Sequence, residues 1–593
     1  MKLLATFTVC LIPSVFLAPS VHALQAPPDA RPGAPKAQTP KAQAPNFKDE
    51  IDTSVRWLRF EQSRQDGSYG MSVWTTAVVL RAMAECPRQY GRNDGPFVTK
   101  ALEYLVSQQK ADGSIADEGS DATAILLQTR AAAGALALHA HVSTEAALQK
   151  ALKFIDAHAE SALEPGPWQD SPLPESKDEL TAQVVKLLAQ RQPDGSWKGS
   201  VRTTADNVVF LSRAWKVLAP PEASASAPPK PLPAFEPADR TQALAAIGRG
   251  ALWLSAAGDK GLYGAPGKPN AGFTAMAIGG LLSAPEPREP QVQEAIDNGL
   301  AWLVKLQKPD GSIHEGQLAN YTTSAAILAL VRSGKKEYEP VIEKAQKYLI
   351  DLQVDEAEGY SPDHPYYGGN SYGNEQRPDL SNVQMALEAL AESGVDKDNA
   401  AFQRALVFLQ RCQNRSESND IRIQDGGKVI VSGDDGGAAY GPGTSKAGYV
   451  ELEDGTKVPV SYGSMTYALL KCYVFAGVPK DDPRMKACWE WLKKNYTVDV
   501  NPGFERSADP AAAYQGLYYY LHTMAKALDV FGEETIVDAQ GKPHSWRKEL
   551  AGRVVAMQRK DGSWTNENSE RWYEGNPVLA TSYALMTLQM AAK

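Results

Sequence analysis

The heptapeptide Gln558-Arg-Lys-Asp-Gly-Ser-Trp564 recurs along this 593-residue chain and decides its fold. Copies at 307–313 and 109–115 read Gln-Lys-Pro-Asp-Gly-Ser-Ile and Gln-Lys-Ala-Asp-Gly-Ser-Ile, and two further copies end at Trp197 and Tyr69. Each copy follows an amphipathic helical run, and its Asp-Gly step ends that helix because Gly takes the left-handed conformation at little cost. A second helix follows several residues later. A period of roughly 45–60 residues with this content predicts stacked helical hairpins.

The local pattern also resembles that of a known superfamily. An apolar or aromatic residue, then Gln, then Gly-x-Trp is similar to the QW repeat of squalene–hopene and oxidosqualene cyclases, relatives of the protein prenyltransferase β-subunits. The chain looks most like the exported prenyltransferase and squalene oxidase repeat proteins of bacteria, over most of residues 47–593. The resemblance implies an all-α fold, in which an (α/α)6 toroid of QW-type helical hairpins follows a smaller α/α helical-repeat domain.

Two kinds of helix alternate in residues 239–593, where six helix pairs can be counted. The first helix of a pair carries charges on one face, as in 486–494, which suits an outer ring with one wet face. The second is apolar or small nearly all round, as in 322–330, which suits an inner ring. All inner helices then run the same way, and their N-termini bring partial positive charge to one rim. We expect the cavity wall to be apolar and close-packed toward its base.

The N-terminal sequence predicts export. Residues 1–23 read as a signal peptide, with an apolar run after Lys2 and a small-x-small cleavage site ending at Ala23. A signal anchor is the alternative, although the run is short for a spanning helix. Residues 24–46 predict a Pro-rich disordered tether, 47–218 the first helical domain, 219–238 a Pro/Ala linker and 239–593 the toroid. We therefore expect a protein of the periplasm, cell envelope or extracellular space.

Composition excludes several partners. The net charge is -9 with no basic run, so nucleic acid is not an expected partner. No segment after the signal peptide is apolar enough to span a membrane. The cysteines left after cleavage are too few for a disulfide scaffold, and no Cys-x-x-Cys supports a zinc site. Buried thiols with at most one bridge are expected at Cys86, Cys412, Cys472 and Cys488.

Asp379-Leu-Ser-Asn-Val-Gln384 opens the third inner helix and resembles the acid motif of the cyclases. In that family Asp-x-Asp-Asp-Thr-Ala sits at such a helix start, and its middle Asp protonates the alkene. Only the first Asp is present here, because Ser381 and Asn382 stand at the other two positions. Protonating an alkene needs a strong acid that Ser cannot replace, so we expect no proton-initiated squalene cyclisation. The other interpretation of Asp379 is a simple helix cap.

A second resemblance to a family motif concerns His522. The segment 520–524 resembles the Tyr-His-Thr stretch that supplies the zinc histidine of protein prenyltransferases, but the Asp-x-Cys ligands of that family have no counterpart. We therefore predict no metal and no cofactor, and the sequence favours a hydrogen-bonded core histidine over a functional role for His522. The sequence also predicts a helix from Asp509, with Pro510 in its first turn, that places Tyr514, Tyr518 and His522 on one face.

Two long insertions precede inner helices and should lie over the same rim. Residues 354–378 are rich in Tyr and Gly, and 414–461 read as short hairpins with Gly turns. Loops of this length in a compact repeat are usually functional or disordered. Trp572 and Tyr573, before the last inner helix, belong to the same side.

Three functions stay open on sequence alone. They are isoprenoid chemistry as the superfamily implies, binding or processing of a glycan or peptide, and a non-catalytic scaffold of the cell envelope. Whether the chain is an enzyme is uncertain; if it is, the resemblance implies the terpenoid cyclase and prenyltransferase superfamily without the Asp-x-Asp-Asp acid. We predict a small amphipathic or isoprenoid-like ligand in the central cavity, with Asp379 and His522 as catalytic candidates. The binding candidates are Asp379, Asn382, Tyr462, Ser464, Tyr514, Tyr518, His522, Trp572 and Tyr573.

Overall fold

The computed structural model describes residues 47–593 except 64, 93–95, 159–172, 219–234, 266, 374–376 and 453. The predicted signal peptide and tether, and most of the predicted linker, lie outside the described residues. The helices are α1 (Lys48–Phe60), α2 (Val73–Glu85), α3 (Pro96–Ser107), α4 (Ala122–Leu138), α5 (Val142–Ala157), α6 (Lys177–Leu188), α7 (Val201–Leu218), α8 (Pro237–Ala257), α9 (Ala271–Leu281), α10 (Pro290–Lys305), α11 (Ala319–Arg332), α12 (Glu339–Asp351), α13 (Leu380–Glu392), α14 (Ala400–Cys412), α15 (Gly463–Phe475), α16 (Pro483–Lys494), α17 (Leu517–Phe531), α18 (Trp546–Ala556) and α19 (Pro577–Ala591). The strands are β1 (Gly264–Ala265), β2 (Lys268–Pro269), β3 (Arg422–Asp425), β4 (Lys428–Val431), β5 (Tyr449–Glu451), β6 (Lys457–Pro459), β7 (Thr535–Val537) and β8 (Pro543–Ser545).

Six inner helices form a closed ring. In the order α9, α11, α13, α15, α17 and α19 each helix contacts the next, and α19 contacts α9. The outer helices α8, α10, α12, α14, α16 and α18 pack around them, and α18 contacts α8. The predicted all-α double ring, with the second helix of each pair inside, is confirmed.

Burial explains which helix lies inside. Every residue of α15 from Gly463 to Tyr473 is buried, so this helix has no face for solvent. Its partner α16 buries Met485, Cys488, Trp491 and Leu492, a spacing of three and four residues that leaves the opposite face wet. The sequence thus separates inner from outer helices by whether apolar residues cover one side or all sides.

The recurring turn holds neighbouring outer helices together. The side-chain Nε2 of Gln307, after α10, donates to the carbonyl of Gly311 at 3.2 Å and to that of Val341 in α12 at 2.8 Å. Gln558, after α18, donates in the same way to Ala246 in α8 at 2.9 Å, which joins the last pair to the first. The turn that decides the fold therefore also closes the ring.

The same turn explains its own sequence. Gly562 has φ +94°, and a Cβ there would lie 2.8 Å from the carbonyl oxygen of Arg249, so both conformation and space demand glycine. One carboxylate oxygen of Asp561 accepts hydrogen bonds from the amide and hydroxyl of Ser563. The indole of Trp564 is buried and donates to the carbonyl of Val554 on the helix just completed, at 2.7 Å. These contacts give the motif a structural role.

Helices α1–α7 contact one another and repeat the same turns. They meet the insertion at 414–461 through Glu417, which accepts from Arg88 at 2.6 Å and from the hydroxyl of Tyr90 at 2.8 Å. Burial alone would raise the pKa of Glu417, but Arg59, Arg415 and Arg88 outweigh burial and lower the pKa to about 2. The domain boundaries at 218 and 239 stay predictions.

The insertion at 414–461 contains a four-stranded sheet in the order β3-β4-β6-β5. Strands β3 and β4 are antiparallel and joined at Gly426 and Gly427, so the predicted glycine hairpin is confirmed. Strand β4 pairs with β6 in parallel. The four predicted mature-chain cysteines are buried and free. No helix among the described residues is long and apolar enough to cross a membrane.

One predicted helix start is wrong. Helix α17 begins at Leu517 rather than near Asp509, because Gly516 takes φ +63° and separates the helix from a short 3-10 turn at Ala512–Tyr514. Pro510 and Tyr514 consequently lie before the helix.

Candidate functional site

Two neighbouring cavities, the upper and the lower chamber, are lined by the inner helices of the ring. The upper chamber, of about 460 Å³, lies at the N-terminal ends of the inner helices. The lower chamber, of about 240 Å³, lies toward their C-terminal ends. Met276, Ala325, Tyr519 and Tyr583 line both chambers, and we call this shared boundary the neck.

Both long insertions contribute to the upper chamber, as predicted. Tyr372 comes from the first insertion and Tyr440 from the second, and their hydroxyls lie 2.9 Å apart. Tyr321 and Tyr519 belong to inner helices, and both hydroxyls lie 3.0 Å from the hydroxyl of Ser381. Burial raises the pKa of Tyr321 and Tyr519, so these hydroxyls are neutral. The upper chamber therefore has apolar walls that carry a few neutral hydrogen-bonding groups.

Asp379 and Asn382 lie just behind this wall. The Asp379 carboxylate accepts from the amide and the side-chain Nδ2 of Asn382, both at 2.9 Å, and from the Tyr440 hydroxyl at 3.0 Å. Burial raises the pKa of Asp379 to about 6 despite these hydrogen bonds. Asp379 is the N-cap of α13, so the alternative interpretation of the residue is correct as far as its contacts go.

Glu574 lines the upper chamber and was not predicted. Its carboxylate accepts from the amide of Tyr519 at 2.8 Å and from the side chain of Asn566 at 2.8 Å, so it caps α17 in place of Gly516. Burial raises the pKa of Glu574 to about 7. No motif surrounds this residue, and its only signal in the sequence is an acidic position just before an inner helix.

The mouth of the upper chamber has an unusual backbone. Leu318, Trp572 and Tyr573 have φ values of +50°, +57° and +66°, and a non-glycine residue in this region costs about 1–3 kcal/mol. The ring of Trp572 packs against Gly516, and the ring centroid of Tyr573 lies 6.1 Å from that of Phe273. Packing thus holds two aromatic rings over the opening against local strain.

The predicted site residues divide between several places. Tyr462, Ser464, Trp572 and Tyr573 line the upper chamber. The prediction that Tyr518 and His522 face one rim together is wrong. The Tyr518 hydroxyl lies 3.3 Å from the carbonyl of Thr565, and His522 lines the lower chamber. Tyr519 is the tyrosine of α17 that faces the cavity, because one residue along a helix rotates the side chain by about 100°.

Charged side chains line the lower chamber, so the expectation of an apolar, close-packed base is wrong. Lys471 donates to Glu388 and to Gln384. Lys526 lies 2.7 Å from Glu392 and 3.8 Å from Glu388. Burial alone would raise the pKa of Glu388, but the two lysines outweigh burial and lower the pKa to about 2. Charged residues in the middle of otherwise apolar inner helices were the signal for this network.

His522 is not the hydrogen-bonded core histidine that the sequence favoured. Its Nδ1 is buried without a partner, and its ring lies 5.4 Å from that of Tyr583. Burial lowers the pKa of His522 to about 3, so the imidazole is neutral. Within the described ranges no cluster of His, Cys, Asp and Glu has the geometry of a metal site.

Comparison with known proteins bears on the fold and on the family. The family model of the A-macroglobulin TED domain matches residues 43–164. A squalene–hopene cyclase from Bradyrhizobium diazoefficiens is 29% identical over 149 residues, which are 25% of this chain and 22% of the cyclase. The match thus spans about a fifth of that relative's length. It supports the predicted relationship to the terpenoid cyclase superfamily.

Solved structures of terpene cyclases are also similar to this chain. A variant of the type II terpene cyclase MstE from Scytonema, in complex with geranylgeranyl dihydroxybenzoate, has a TM-score of 0.37 and 16% identity and covers 60% of this chain and 99% of its own. The ent-copalyl diphosphate synthase from Streptomyces platensis has a TM-score of 0.29 and 13% identity and covers 82% of this chain and 99% of its own.

Proposed function

We propose that the toroid binds an amphipathic, isoprenoid-like molecule, with its polar head among the hydroxyls of the upper chamber and its apolar body along the chamber wall. The observation that carries the proposal is the chamber itself, which combines a volume of about 460 Å³ with apolar walls and a few converging polar groups. Tyr321, Tyr440 and Tyr519 supply those groups. Sequence similarity to a squalene–hopene cyclase adds an isoprenoid precedent in a relative.

The chemistry of the rim favours a neutral head group over an anionic one. Six helix N-termini would attract an anion, but the structure already covers several of them with acceptors. Asp379 caps α13, Glu574 caps α17, and the side-chain oxygen of Asn501 accepts from the amide of Ser464 at the start of α15. An anion would also face two carboxyl groups at close quarters. A hydroxyl or phenol head can instead donate to and accept from the tyrosine hydroxyls.

Adjacent tyrosines of α17 provide a matched test. The Tyr519 hydroxyl lies at the neck and contacts Ser381 and Gln384, whereas that of Tyr518 faces a backbone carbonyl away from the cavity. Equilibrium dialysis against radiolabelled geranylgeraniol measures binding to the full chain. We expect Tyr519→Phe to weaken binding about fivefold, the value of roughly 1 kcal/mol for one neutral hydrogen bond. Tyr518→Phe should leave binding unchanged.

Two results would refute this function. One is that the unmodified protein does not retain geranylgeraniol. The other is that Tyr518→Phe and Tyr519→Phe weaken binding equally, which would indicate a general effect on α17 rather than a ligand in the chamber.

Export is a separate part of the proposal and rests on the sequence of residues 1–23. Expression of the full chain in a bacterial host, followed by fractionation and N-terminal sequencing, tests it. We expect a mature protein that begins just after Ala23 and lies outside the cytoplasm. A cytoplasmic protein that keeps residues 1–23 would contradict the proposal.

A further inference from the structure

One cation that lines the lower chamber forms no ion pair among the described residues. Lys471 pairs with Glu388, Lys526 with Glu392, and Lys593 with Asp529 at 2.5 Å, an aspartate that Arg547 shares. Arg332 also lines the chamber. Its guanidinium donates to the hydroxyl of Ser283 and to the side-chain oxygen of Gln589, both neutral, and it pairs with no carboxylate in the part of the chain that the structure describes.

Arg332 lies in the last turn of α11, where a cation also stabilises the helix dipole. That role does not account for its contacts, because the hydrogen bonds that its guanidinium makes go to side chains of neighbouring segments and not to the carbonyls that end α11. A half-buried guanidinium whose direct hydrogen bonds go to neutral groups is expensive to keep out of water, and Glu388 and Glu392 act on it only through longer-range charge. Its placement on a cavity wall suggests that the missing counter-charge is a ligand.

His522 provides the second, independent observation. Its ring lines the same chamber and is neutral, and its Nδ1 is buried with no hydrogen-bond partner among the described residues. A buried polar nitrogen without a partner costs about 1–3 kcal/mol and calls for an explanation in a native structure. A neutral imidazole can donate one hydrogen bond to an anion without adding charge.

We propose that the lower chamber binds an oxyanion, a carboxylate or phosphate group, held by the Arg332 guanidinium with His522 as a second, neutral donor. Guanidinium matches the planar or tetrahedral oxygens of such groups by paired hydrogen bonds. The chamber of about 240 Å³ has room for the group and several waters, since a water occupies about 30 Å³ in the liquid. The anion is either free or the far end of a ligand whose apolar body lies in the neck beside Met276 and Ala325.

This site goes beyond the proposed function and does not depend on it. The two chambers share a neck, but their polar groups differ. Hydroxyls and capping carboxyl groups line the upper chamber, and ion pairs and the Arg332 guanidinium line the lower one. A neutral isoprenoid alcohol needs only the upper chamber. Loss of oxyanion binding and loss of geranylgeraniol binding are therefore distinguishable.

Calorimetric titration of the full chain with inorganic phosphate and with dodecyl phosphate, at one ionic strength, tests the site. We expect Arg332→Gln to weaken binding about tenfold or more, as for loss of a charge-assisted hydrogen bond, and Arg332→Lys to restore part of it. His522→Phe, which keeps the ring beside Tyr583, should weaken binding about fivefold. Arg288→Gln is the matched control, because Arg288 is close enough to act on Arg332 through its charge but does not line the chamber.

The two probes identify the source of the anion. Binding of inorganic phosphate with this variant pattern supports a free anion, and binding of dodecyl phosphate alone with the same pattern supports the end of an apolar ligand. Failure of the unmodified protein to bind either probe would overturn the site. So would binding that Arg332→Gln and Arg288→Gln reduce equally. A circular dichroism spectrum of Arg332→Gln equal to that of the unmodified protein, measured beside these titrations, shows that the variant is folded.

Discussion

The two chambers of the toroid are built by the same six helices but have opposite electrostatic character. Above, acceptors cover the helix starts, and two buried carboxyls have raised pKa values. Below, Lys471 and Lys526 lie inside α15 and α17 rather than in their last turns, and the buried Glu388 has a lowered pKa. The helix dipole explains the acceptors above, since acceptors are stabilising at N-termini.

The difference teaches where to look for function. The charges that the dipole explains, such as Asp379 at the start of α13, are structural first. The features that it leaves unexplained are the hydrogen bonds of Arg332 to neutral side chains, the unpartnered Nδ1 of His522 and the strained aromatic pair at the mouth. Each of these residues lines the cavity or its opening.

Breaking the ion network of the lower chamber should have the largest effect on the free energy of unfolding. Glu388→Gln leaves the ammonium of Lys471 buried without a counter-charge, and loss of one partner from a buried pair costs about 3–5 kcal/mol. We expect this loss in the free energy of unfolding measured in urea. The matched control is Glu392→Gln, four residues along the same helix and exposed, which should cost less than about 1 kcal/mol.

The double variant Glu388→Leu with Lys471→Met distinguishes the cost of an unpaired buried charge from the cost of altered packing. Replacing a whole buried pair by apolar side chains is often nearly neutral. Most of the stability lost in Glu388→Gln should therefore return. A double variant as unstable as the single one would show that the network does more than balance charge.

The pH dependence of stability should have opposite signs in the two chambers. The pKa of Glu574 is raised from 4.5 to about 7, so the folded state holds a proton that the unfolded state has lost, and stability falls as pH rises from 4.5 to 7. Glu574→Gln mimics the neutral acid, so its stability relative to wild type should increase over that window. Urea titrations at pH 4 to 7.5 measure the difference.

Glu388 supplies the contrast. Its pKa is lowered to about 2, so its stabilisation is present above pH 4.5 and is lost as pH falls toward 2. The deficit of Glu388→Gln relative to wild type should therefore shrink with acid. For each variant, the difference in free energy of unfolding from wild type is plotted against pH. Slopes of the same sign for Glu574→Gln and Glu388→Gln would contradict the electrostatic difference between the chambers.

The last prediction concerns squalene cyclisation, for which we expect no activity. Asp379 receives three hydrogen bonds from donors, and Ser381 occupies a position where the cyclases carry an acid, so we expect no hopene from squalene. Gas chromatography of products after incubation with the full chain is the measurement. Hopene formation that Asp379→Asn abolishes would contradict this expectation and would give the upper chamber a strong acid.

The architecture was predictable because it rests on local signals. The recurring turn marks each helix end, and burial on one or all sides separates outer from inner helices. The side chains of the cavity were less predictable. The sequence predicted the start of α17 eight residues too early and predicted the wrong helix face toward the chamber. It therefore named Tyr518, whereas Tyr519 faces the chamber.

Long-range pairing explains most of what the sequence missed. Lys471 and Glu388 are 83 residues apart, and Glu574 caps the amide of Tyr519 across 55 residues. No local period connects such pairs, since only closure of the ring brings them together. Their one visible signal is a charged or acidic residue where an inner helix should be apolar or should begin.

A crystal structure with 12-bromododecyl phosphate tests the central claim most directly. Anomalous scattering locates the bromine, and electron density locates the phosphate. We expect the phosphate beside Arg332 and His522 in the lower chamber, and the bromine in the upper chamber beyond the neck at Ala325. A phosphate among the tyrosine hydroxyls of the upper chamber, or a ligand bound outside the ring, would contradict the division of the cavity into a neutral and an anion-binding chamber.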